Sequence, residues 1–267
     1  MKTVLIVKQE DAKAAENANR ILQVLTELSV VVLPTDALSC ADFITVVGGD
    51  GTIVHAAKQA AEYNIPVLGI NSGRVGFLAG LEPEETHLLA NILRGDYHVD
   101  ERMLLSVTFT VKGETVTRYA LNEAVVTRNG PARMIDIQLK DGLGGGQMDY
   151  RADGLIAATP TGSTAYSLSA GGPVLDPFVD GFIVTPLSPF SLQSRSVVFS
   201  PAHPLHIQAK CPSGGRIIVC LDGEEPIDVT GQEITVQKAS DRAVRLIRIK
   251  KDTFFDIYKH KIMERSV

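Results

Sequence analysis

The chain contains 267 residues with a formal net charge of −5, and 45% of its residues are hydrophobic and 21% charged. A chain of this length forms one large domain or two modest ones and can bury roughly 70 to 75% of its unfolded surface. The acidic balance disfavours a nucleic-acid partner, and no apolar run approaches the roughly 20 residues that cross a membrane.

The N-terminus and the cysteines narrow the class of protein further. The first residues lead into a short apolar strand and lack the apolar core and cleavage site of a signal peptide, which predicts a cytoplasmic protein with no membrane partner. Cys40, Cys211 and Cys220 form no CxxC pair and are odd in number. Neither a disulfide framework nor a dedicated metal site is therefore expected.

The first hundred residues alternate strand and helix patterns. Apolar residues from Ala14 to Leu28 lie on one helical stripe, and helical patterns also cover Ile53–Tyr63 and Pro83–Arg94, the last ending at Gly95. We predict an α/β domain over residues 1–100. Its parallel strands, buried on both faces, are short continuous apolar runs: Val4–Val7, Val30–Leu33, Phe43–Val47 and Val67–Ile70.

A glycine loop, Gly48-Gly49-Asp50-Gly51-Thr52, connects the third of these strands to the next helix. Three glycines in four residues indicate unusual dihedral angles or close approach of the backbone to a ligand. Such a loop at the start of a helix suits a phosphate. A carboxylate beside a phosphate needs a task, such as positioning a metal or accepting a proton from an attacking hydroxyl.

Other glycine-loop motifs do not fit these residues. A GxxxxGK[ST] loop needs a Gly-Lys pair, which the chain lacks, and a GxGxxG motif that starts at Gly49 would need glycine where Val54 stands. A tight strand-to-helix turn without a ligand remains an alternative. It explains the glycines but gives Asp50 no role.

From Met103 the hydrophobic pattern changes to a period of two. The cluster Gly142–Gly146 is most simply a hairpin turn, and this half of the chain is predicted to be an all-β, sandwich-like domain over residues 101–249. A cleft between the two domains is the natural ligand site. The further strand patterns are Thr115–Leu121, Met134–Leu139, Leu155–Ala158, Ser196–Ser200, Leu205–Lys210, Arg216–Leu221, Glu233–Gln237 and Ala243–Ile249.

Residues 159–173 are rich in hydroxyl groups and glycine and almost free of charge. Ser163 or Thr164 could cap a short helix there, and the N–H groups at its start would suit a pyrophosphate or a ribose. Tyr166 could stack on a base. A Ser/Thr-rich turn without a ligand is the alternative.

Five motifs, in order along residues 43–225, resemble those of the NAD kinase family. Diacylglycerol and sphingosine kinases share a similar first loop, but their Gly-Thr-x-Asn-Asp segment is absent, so a lipid kinase is the second choice of enzyme. A dinucleotide-binding sensor without catalysis is a third reading. The motifs are Gly48 to Thr52, Asn71 to Phe77, Asn122-Glu123, Arg151-Ala152-Asp153-Gly154 and Thr159 to Pro173.

The resemblance implies transfer of a phosphoryl group from ATP, or from polyphosphate, to the 2′-hydroxyl of the adenosine ribose of NAD, which gives NADP. It implies that Asp50 is the general base and that Mg²⁺ or another divalent cation accompanies the donor. The implied ligand contacts are Gly49, Gly51, Thr52, Asn71, Gly73, Phe77, Asn122, Glu123, Arg133, Arg151, Asp153, Thr161, Thr164, Ala165, Tyr166, Ser167, Leu168, Ser169 and Asp222.

By the same resemblance, Phe77 lies against the adenosine of NAD, Asn122 and Glu123 hold its adenine and ribose, and Asp153 lies near the nicotinamide. The fold that the resemblance implies has a Rossmann-like or phosphofructokinase-like α/β first domain, to which the last residues, 250–267, are expected to return. Members form homodimers or homotetramers in which a neighbouring subunit completes the NAD site, and Phe182–Arg195 is the candidate contact. The resemblance leaves open ATP or polyphosphate as donor, NAD or NADH as substrate, the number of subunits, and inhibition by NADP.

Overall fold

The structure, a computed structural model, describes residues 1–8, 12–72, 76–130, 133–212 and 214–259. The chain divides into two compact units. The first contains Met1–Arg102 together with the chain from Arg242 onward, and the second contains Met103–Asp241. In these ranges no helix is long and apolar enough to cross a membrane.

The secondary structure follows the chain in this order. The helices are α1 (Ala12–Glu27), α2 (Asp50–Ala61), α3 (Ala90–Arg94), α4 (Tyr166–Ser169) and α5 (Phe254–Tyr258). The strands are β1 (Lys2–Val7), β2 (Val31–Leu33), β3 (Phe43–Gly48), β4 (Val67–Asn71), β5 (His98–Arg102), β6 (Leu105–Val111), β7 (Glu114–Ala120), β8 (Glu123–Asn129), β9 (Ile135–Asp141), β10 (Gln147–Ala152), β11 (Gly154–Ala158), β12 (Phe182–Leu187), β13 (Val197–Phe199), β14 (Leu205–Lys210), β15 (Arg216–Leu221), β16 (Ile227–Asp228), β17 (Glu233–Lys238) and β18 (Val244–Arg248).

The first unit is built on one sheet with the strand order β2-β1-β3-β4-β18-β5. The strands are parallel except β5, which pairs antiparallel with β18. Strand β3 is buried along its whole length, and α1 packs Ala14, Ile21 and Leu25 into the same core as Phe43. The predicted α/β class is confirmed, because continuous apolar runs became central parallel strands.

The last strand pattern lies in a different place from the one expected. Residues 243–249 were assigned by periodicity to the β-rich domain, whereas β18 lies in the first sheet between β4 and β5. Val244, Leu246, Ile247 and Arg248 are all buried. A strand buried on both faces belongs in a central position, so the chain returns to the first unit before residue 249.

Only the last part of the helix predicted over Pro83–Arg94 is an α-helix. Residues Pro83–Leu89 form 3-10 turns, and α3 follows and ends at Gly95 in the left-handed conformation, with φ 72°. The side chains of Glu82 and Glu85 complete a capping box at the start of the segment. Strand β5, which was not predicted, then pairs with β18.

The second unit packs two sheets into a sandwich, which confirms the predicted class. Their strand orders are β10-β9-β14-β17-β6-β7 and β13-β12-β11-β8-β15-β16. Side chains such as Phe109 and Ile137 of one sheet and Leu155 and Phe182 of the other form a single core. Strands β9 and β10 pair across residues 142–146, so the predicted hairpin turn is also confirmed.

Two central strands of this unit escaped prediction. Strand β8 begins with four buried residues and β12 is buried throughout, so neither shows the alternation of a half-exposed strand. Within the segment Phe182–Arg195, which is expected to contact a neighbouring subunit, residues 182–187 form β12 and are buried between β11 and β13. The contact itself stays a prediction. Phe190 and Leu192, in the following loop, are exposed.

Candidate functional site

Asp50 is the first residue of α2 and follows β3 directly after Gly48 and Gly49. Its two carboxylate oxygens accept hydrogen bonds from the backbone N–H groups of Phe77, at 2.7 Å, and Leu78, at 3.1 Å. These bonds fix the plane of the carboxylate. Asp50 is half-buried, and Gly51 beside it is exposed, so the carboxylate lies at the surface end of the helix.

The glycines of the loop have different reasons for being glycine. A Cβ at Gly48 would meet the side chain of Thr52 at 2.8 Å, which is a clash within the loop itself. Apart from neighbours in the chain and in the helix, no heavy atom of the described residues would lie within 4 Å of a Cβ at Gly49 or Gly51. Neither glycine has a positive φ, so unusual dihedral angles do not account for this pair. Close approach by a ligand, the other reason expected, stays a prediction.

Gly76, in the motif Asn71 to Phe77, explains how that motif contacts the glycine loop. A Cβ at Gly76 would lie 1.9 Å from Oδ1 of Asp50, so only glycine allows the backbone to pass this close. Asn71 of the same motif is buried and donates from Nδ2 to Glu82 at 3.0 Å, which makes it a structural contact in this conformation. Gly73 lies outside the described residues.

In the second unit, Asp222 holds the loop that contains Asn122 and Glu123. It adopts the left-handed conformation, with φ 50°, at the turn after β15. Its carboxylate accepts three consecutive backbone N–H groups, those of Leu121 at 2.9 Å, Asn122 at 2.8 Å and Glu123 at 3.0 Å. The side chain of Asp222 therefore fixes the backbone conformation of the Asn122-Glu123 loop.

Glu123 is a buried carboxyl group next to the carboxylate of Asp222. Its exposed fraction is 8%, and among the described residues its Oε2 atom has no hydrogen-bond partner. Burial, and secondly the charge of Asp222, raise the pKa of Glu123 to about 7, against the lowering effect of a hydrogen bond from the backbone of Tyr166. Glu123 is thus ready to accept or donate a proton near neutral pH.

The Thr159–Pro173 segment covers the outer face of β11 and folds as 3-10 turns followed by the four-residue α4. A Cβ at Gly162 would lie 2.0 Å from the carbonyl oxygen of Asn122, so this segment presses directly against the Asn122-Glu123 loop. The ring of Tyr166 is 47% exposed. Leu168 is half-buried and Ser169 exposed.

The proposed caps of the short helix are not caps. Thr164 donates to the carbonyl of Thr161 at 3.2 Å, and Ser163 bonds to the backbone of Pro160 at 2.6 Å. No side chain caps either turn, and Ala165 precedes α4. Ser167 is fully buried, with its hydroxyl 3.0 Å from that of Thr185, so its side chain is internal packing.

Arg133 and Arg151 line a pocket of about 500 Å³ in the second unit, with Met134, Phe190 and Pro212. The guanidinium of Arg151 lies 6.0 Å from the centre of the Phe190 ring. Two cations beside an aromatic ring suit an anionic or aromatic ligand.

Asp153 is tied to Arg133 through Arg128, a residue that the sequence analysis missed. One guanidinium nitrogen of Arg128 lies 2.6 Å from Asp153 and also donates to the carbonyl of Arg133. No local pattern marks Arg128, because it is one cation on an ordinary strand. Arg248 was also missed, since the basic end of the chain was interpreted only as a strand.

The predicted residues thus form groups within each unit. Asp50, Gly76 and Phe77 meet in the first unit, and Asn122, Glu123, Tyr166 and Asp222 meet in the second. Arg133, Arg151 and Asp153 form a third group. Among the described residues no cluster of three or more His, Cys, Asp or Glu side chains could hold a metal ion.

Two family models match the chain. The ATP-NAD kinase N-terminal domain matches residues 31–97, and the ATP-NAD kinase C-terminal domain matches residues 121–249. A curated NAD kinase of Symbiobacterium thermophilum is 39% identical over 223 residues, which are 83% of this chain and 78% of that protein. The NAD kinase of Methanothermobacter thermautotrophicus is 34% identical and covers 100% of this chain and 98% of its own.

Solved structures give the same likeness. An NAD kinase from Archaeoglobus fulgidus in complex with ATP superposes with a TM-score of 0.80 at 30% identity and covers 100% of both chains. A yeast NADH kinase complexed with NADH has a TM-score of 0.87 at 21% identity and covers 99% of this chain and 87% of its own. At that identity the second likeness concerns the fold alone.

Proposed function

The chain belongs to the NAD kinase family, and from that membership we propose how its residues phosphorylate NAD to NADP. The reaction transfers a phosphoryl group to the 2′-hydroxyl of the adenosine ribose, with ATP as donor. Family membership sets aside the lipid-kinase alternative. The assignment of roles to individual side chains is our proposal.

Asp50 is proposed as the general base. The observation that carries this proposal is the space that the described residues leave open over Gly49 and Gly51, on either side of a carboxylate fixed by two backbone hydrogen bonds. The first N–H groups of a helix lack partners within the helix and favour anions. A donor phosphate at the start of α2 would therefore lie beside the group that receives the proton.

The transition state of phosphoryl transfer is loose, so alignment and charge stabilisation contribute more than proton abstraction. Asp50 would first orient the ribose hydroxyl and then accept its proton as the new P–O bond forms. A divalent cation would offset the charge of the triphosphate. We propose that it is bound through the nucleotide, because the described side chains offer no cage for it.

For NAD itself we propose the loop of Asn122 and Glu123 together with the exposed Tyr166 as the adenosine contacts. The unpartnered oxygen of Glu123 has the chemistry to bind a ribose hydroxyl. Arg133, Arg151 and Asp153 would contact the rest of the dinucleotide. A cytoplasmic location and a homodimer or homotetramer, with the loop around Phe190 and Leu192 as the contact with a neighbour, remain proposals.

The test of the base is Asp50→Asn. We expect NAD binding to persist in calorimetry and the turnover to fall by roughly 10²- to 10⁴-fold, in an assay that couples NADP to an NADP-specific dehydrogenase. Asp42→Asn is the matched control. Asp42 precedes β3, accepts a hydrogen bond from Lys2 at 2.7 Å and is exposed, whereas Asp50 follows the same strand. Full turnover by Asp50→Asn would reject the base.

A further inference from the structure

The guanidinium of Arg248 lies beneath the turn that holds Asp50. One of its terminal nitrogens is 3.1 Å from the carbonyl oxygen of Leu78 and 3.0 Å from that of Ala79, and the other is 3.4 Å from that of Phe77. The turn therefore bonds to Asp50 through its N–H groups and to Arg248 through its carbonyl groups. Moving the guanidinium would move the N–H groups that orient the carboxylate.

Arg248 is itself fixed by buried charges. Its Nε donates to Asp100 at 3.2 Å, and the same carboxylate oxygen contacts Arg102. The exposed fractions of Asp100, Arg102 and Arg248 are 5%, 6% and 7%. Burying charges is costly unless they are paired, and an apolar cluster of similar volume would often be at least as stable, so stability alone gives a weak reason for this arrangement.

Among the described residues, the charged side chains that act on Arg248 are those of Arg102, Asp100 and Asp50. Burial and the neighbouring charge of Arg102 lower the pKa of Arg248, and Asp100 and Asp50 oppose that effect. Asp50 is thus within electrostatic reach of the guanidinium, as well as mechanically linked to it through the turn.

We propose that Arg248 is a positioning residue for the reaction and holds Asp50 at the angle and depth at which it receives the ribose proton. The proposal rests on the role proposed for Asp50. Arginine suits this task because its planar fork can bond several carbonyls at once, whereas the ammonium of lysine is a single flexible point charge. Because Gly76 lets the backbone of the turn contact Asp50 directly, a shift of the turn would be passed on to the carboxylate.

The test is Arg248→Lys, which keeps the charge and removes the fork. A misplacement of about 1 Å can cost about 100-fold in rate. The ammonium of lysine can keep only some of the bonds that the guanidinium makes to the turn, so we expect kcat to fall about tenfold. The KM for ATP should stay within about twofold, because the loop over Gly49 and Gly51 is untouched. Arg245→Lys is the matched control, since Arg245 lies on the same strand and binds the carbonyl of Asn64 at 3.0 Å.

A normal kcat in folded Arg248→Lys would overturn the positioning role. A raised KM for ATP with an unchanged kcat would also overturn it, because Arg248 would then support ligand binding and not the position of Asp50. Asp100→Asn provides a second variant if the lysine variant does not fold, because it keeps the arginine and weakens its anchor; we expect kcat to fall about threefold, and a normal kcat would count against the role.

Asp50→Asn separates the two proposals. Reduced turnover in that variant, with a normal kcat in Arg248→Lys, would reject the positioning role alone. Full turnover in Asp50→Asn would reject the base and, with it, a positioning role that acts through Asp50, whatever Arg248→Lys shows.

Discussion

Replacement of Glu123 by glutamine should change how stability depends on pH. In the folded protein the pKa of Glu123 is raised from 4.5 to about 7, mainly because the group is buried and secondly because Asp222 is close. Below pH 4.5 the carboxyl is protonated in both the folded and the unfolded chain and costs nothing. Between pH 4.5 and 7 the unfolded chain releases the proton first, so stability falls as the pH rises.

The size of the effect follows from the shift. Each pKa unit corresponds to about 1.4 kcal/mol, so a shift from 4.5 to about 7 costs about 3 kcal/mol at pH 8. Glutamine carries no charge and escapes this cost. The stability of Glu123→Gln relative to the unmodified protein should therefore rise by about 3 kcal/mol between pH 4.5 and pH 8, which is about 6 to 12 °C in Tm for a domain of this size.

The assay is thermal unfolding of both proteins without ligand at several pH values, because the difference between them cancels the titration of all other groups. Glu114→Gln, at an exposed position in the same unit, should give a profile parallel to that of the unmodified protein. Parallel profiles for Glu123→Gln as well would show that Glu123 ionises like an exposed glutamate, and would refute the argument from burial.

Two further predictions concern glycines with opposite surroundings. Gly51→Ala adds a methyl where no described residue outside the helix and its chain neighbours lies within 4 Å. Tm should stay or rise, since alanine favours a helix by up to about 1 kcal/mol, whereas the KM for ATP should rise at least tenfold. An unchanged KM would show that no ligand approaches there. Gly162→Ala places a methyl 2.0 Å from the carbonyl oxygen of Asn122. This overlap should lower Tm by several degrees and weaken NAD binding in calorimetry. An unchanged Tm together with unchanged NAD affinity would contradict the close packing.

Much of the fold could be predicted because its signals are local. The runs that became β1, β3 and β4 are apolar on both faces, and the alternation in β6 and β9 shows which face meets the sandwich core. The central strands β8 and β12 show neither alternation nor a continuous apolar run, because Glu123 and Thr127 interrupt the first and Thr185 and Pro186 the second. Sequence pattern alone therefore did not mark them as strands.

The candidate site divides along the same line. Asp50 was identified from its glycine loop, and the motif that ends at Phe77 was identified by resemblance, but the hydrogen bonds between Asp50 and that motif join residues 27 and 28 positions apart. Asn71, in the motif that ends at Phe77, and Ser167, in the motif Thr159–Pro173, are buried and lie within hydrogen-bond distance of other side chains of the protein, and their ligand contacts stay predictions. Residue type does not distinguish a hydroxyl or amide that faces a ligand from one that faces a neighbouring strand.

By itself, the sequence determined the two classes of domain, the loop that presents a carboxylate at the start of α2, and the family to which the chain belongs. Only the tertiary structure decided that β18 returns to the first sheet, where Arg248 bonds to carbonyl groups 169 to 171 residues earlier in the chain. The reason is physical. Periodicity and glycine content act between neighbours in the chain, whereas the partner of a buried charge is chosen by the packing of the whole sheet.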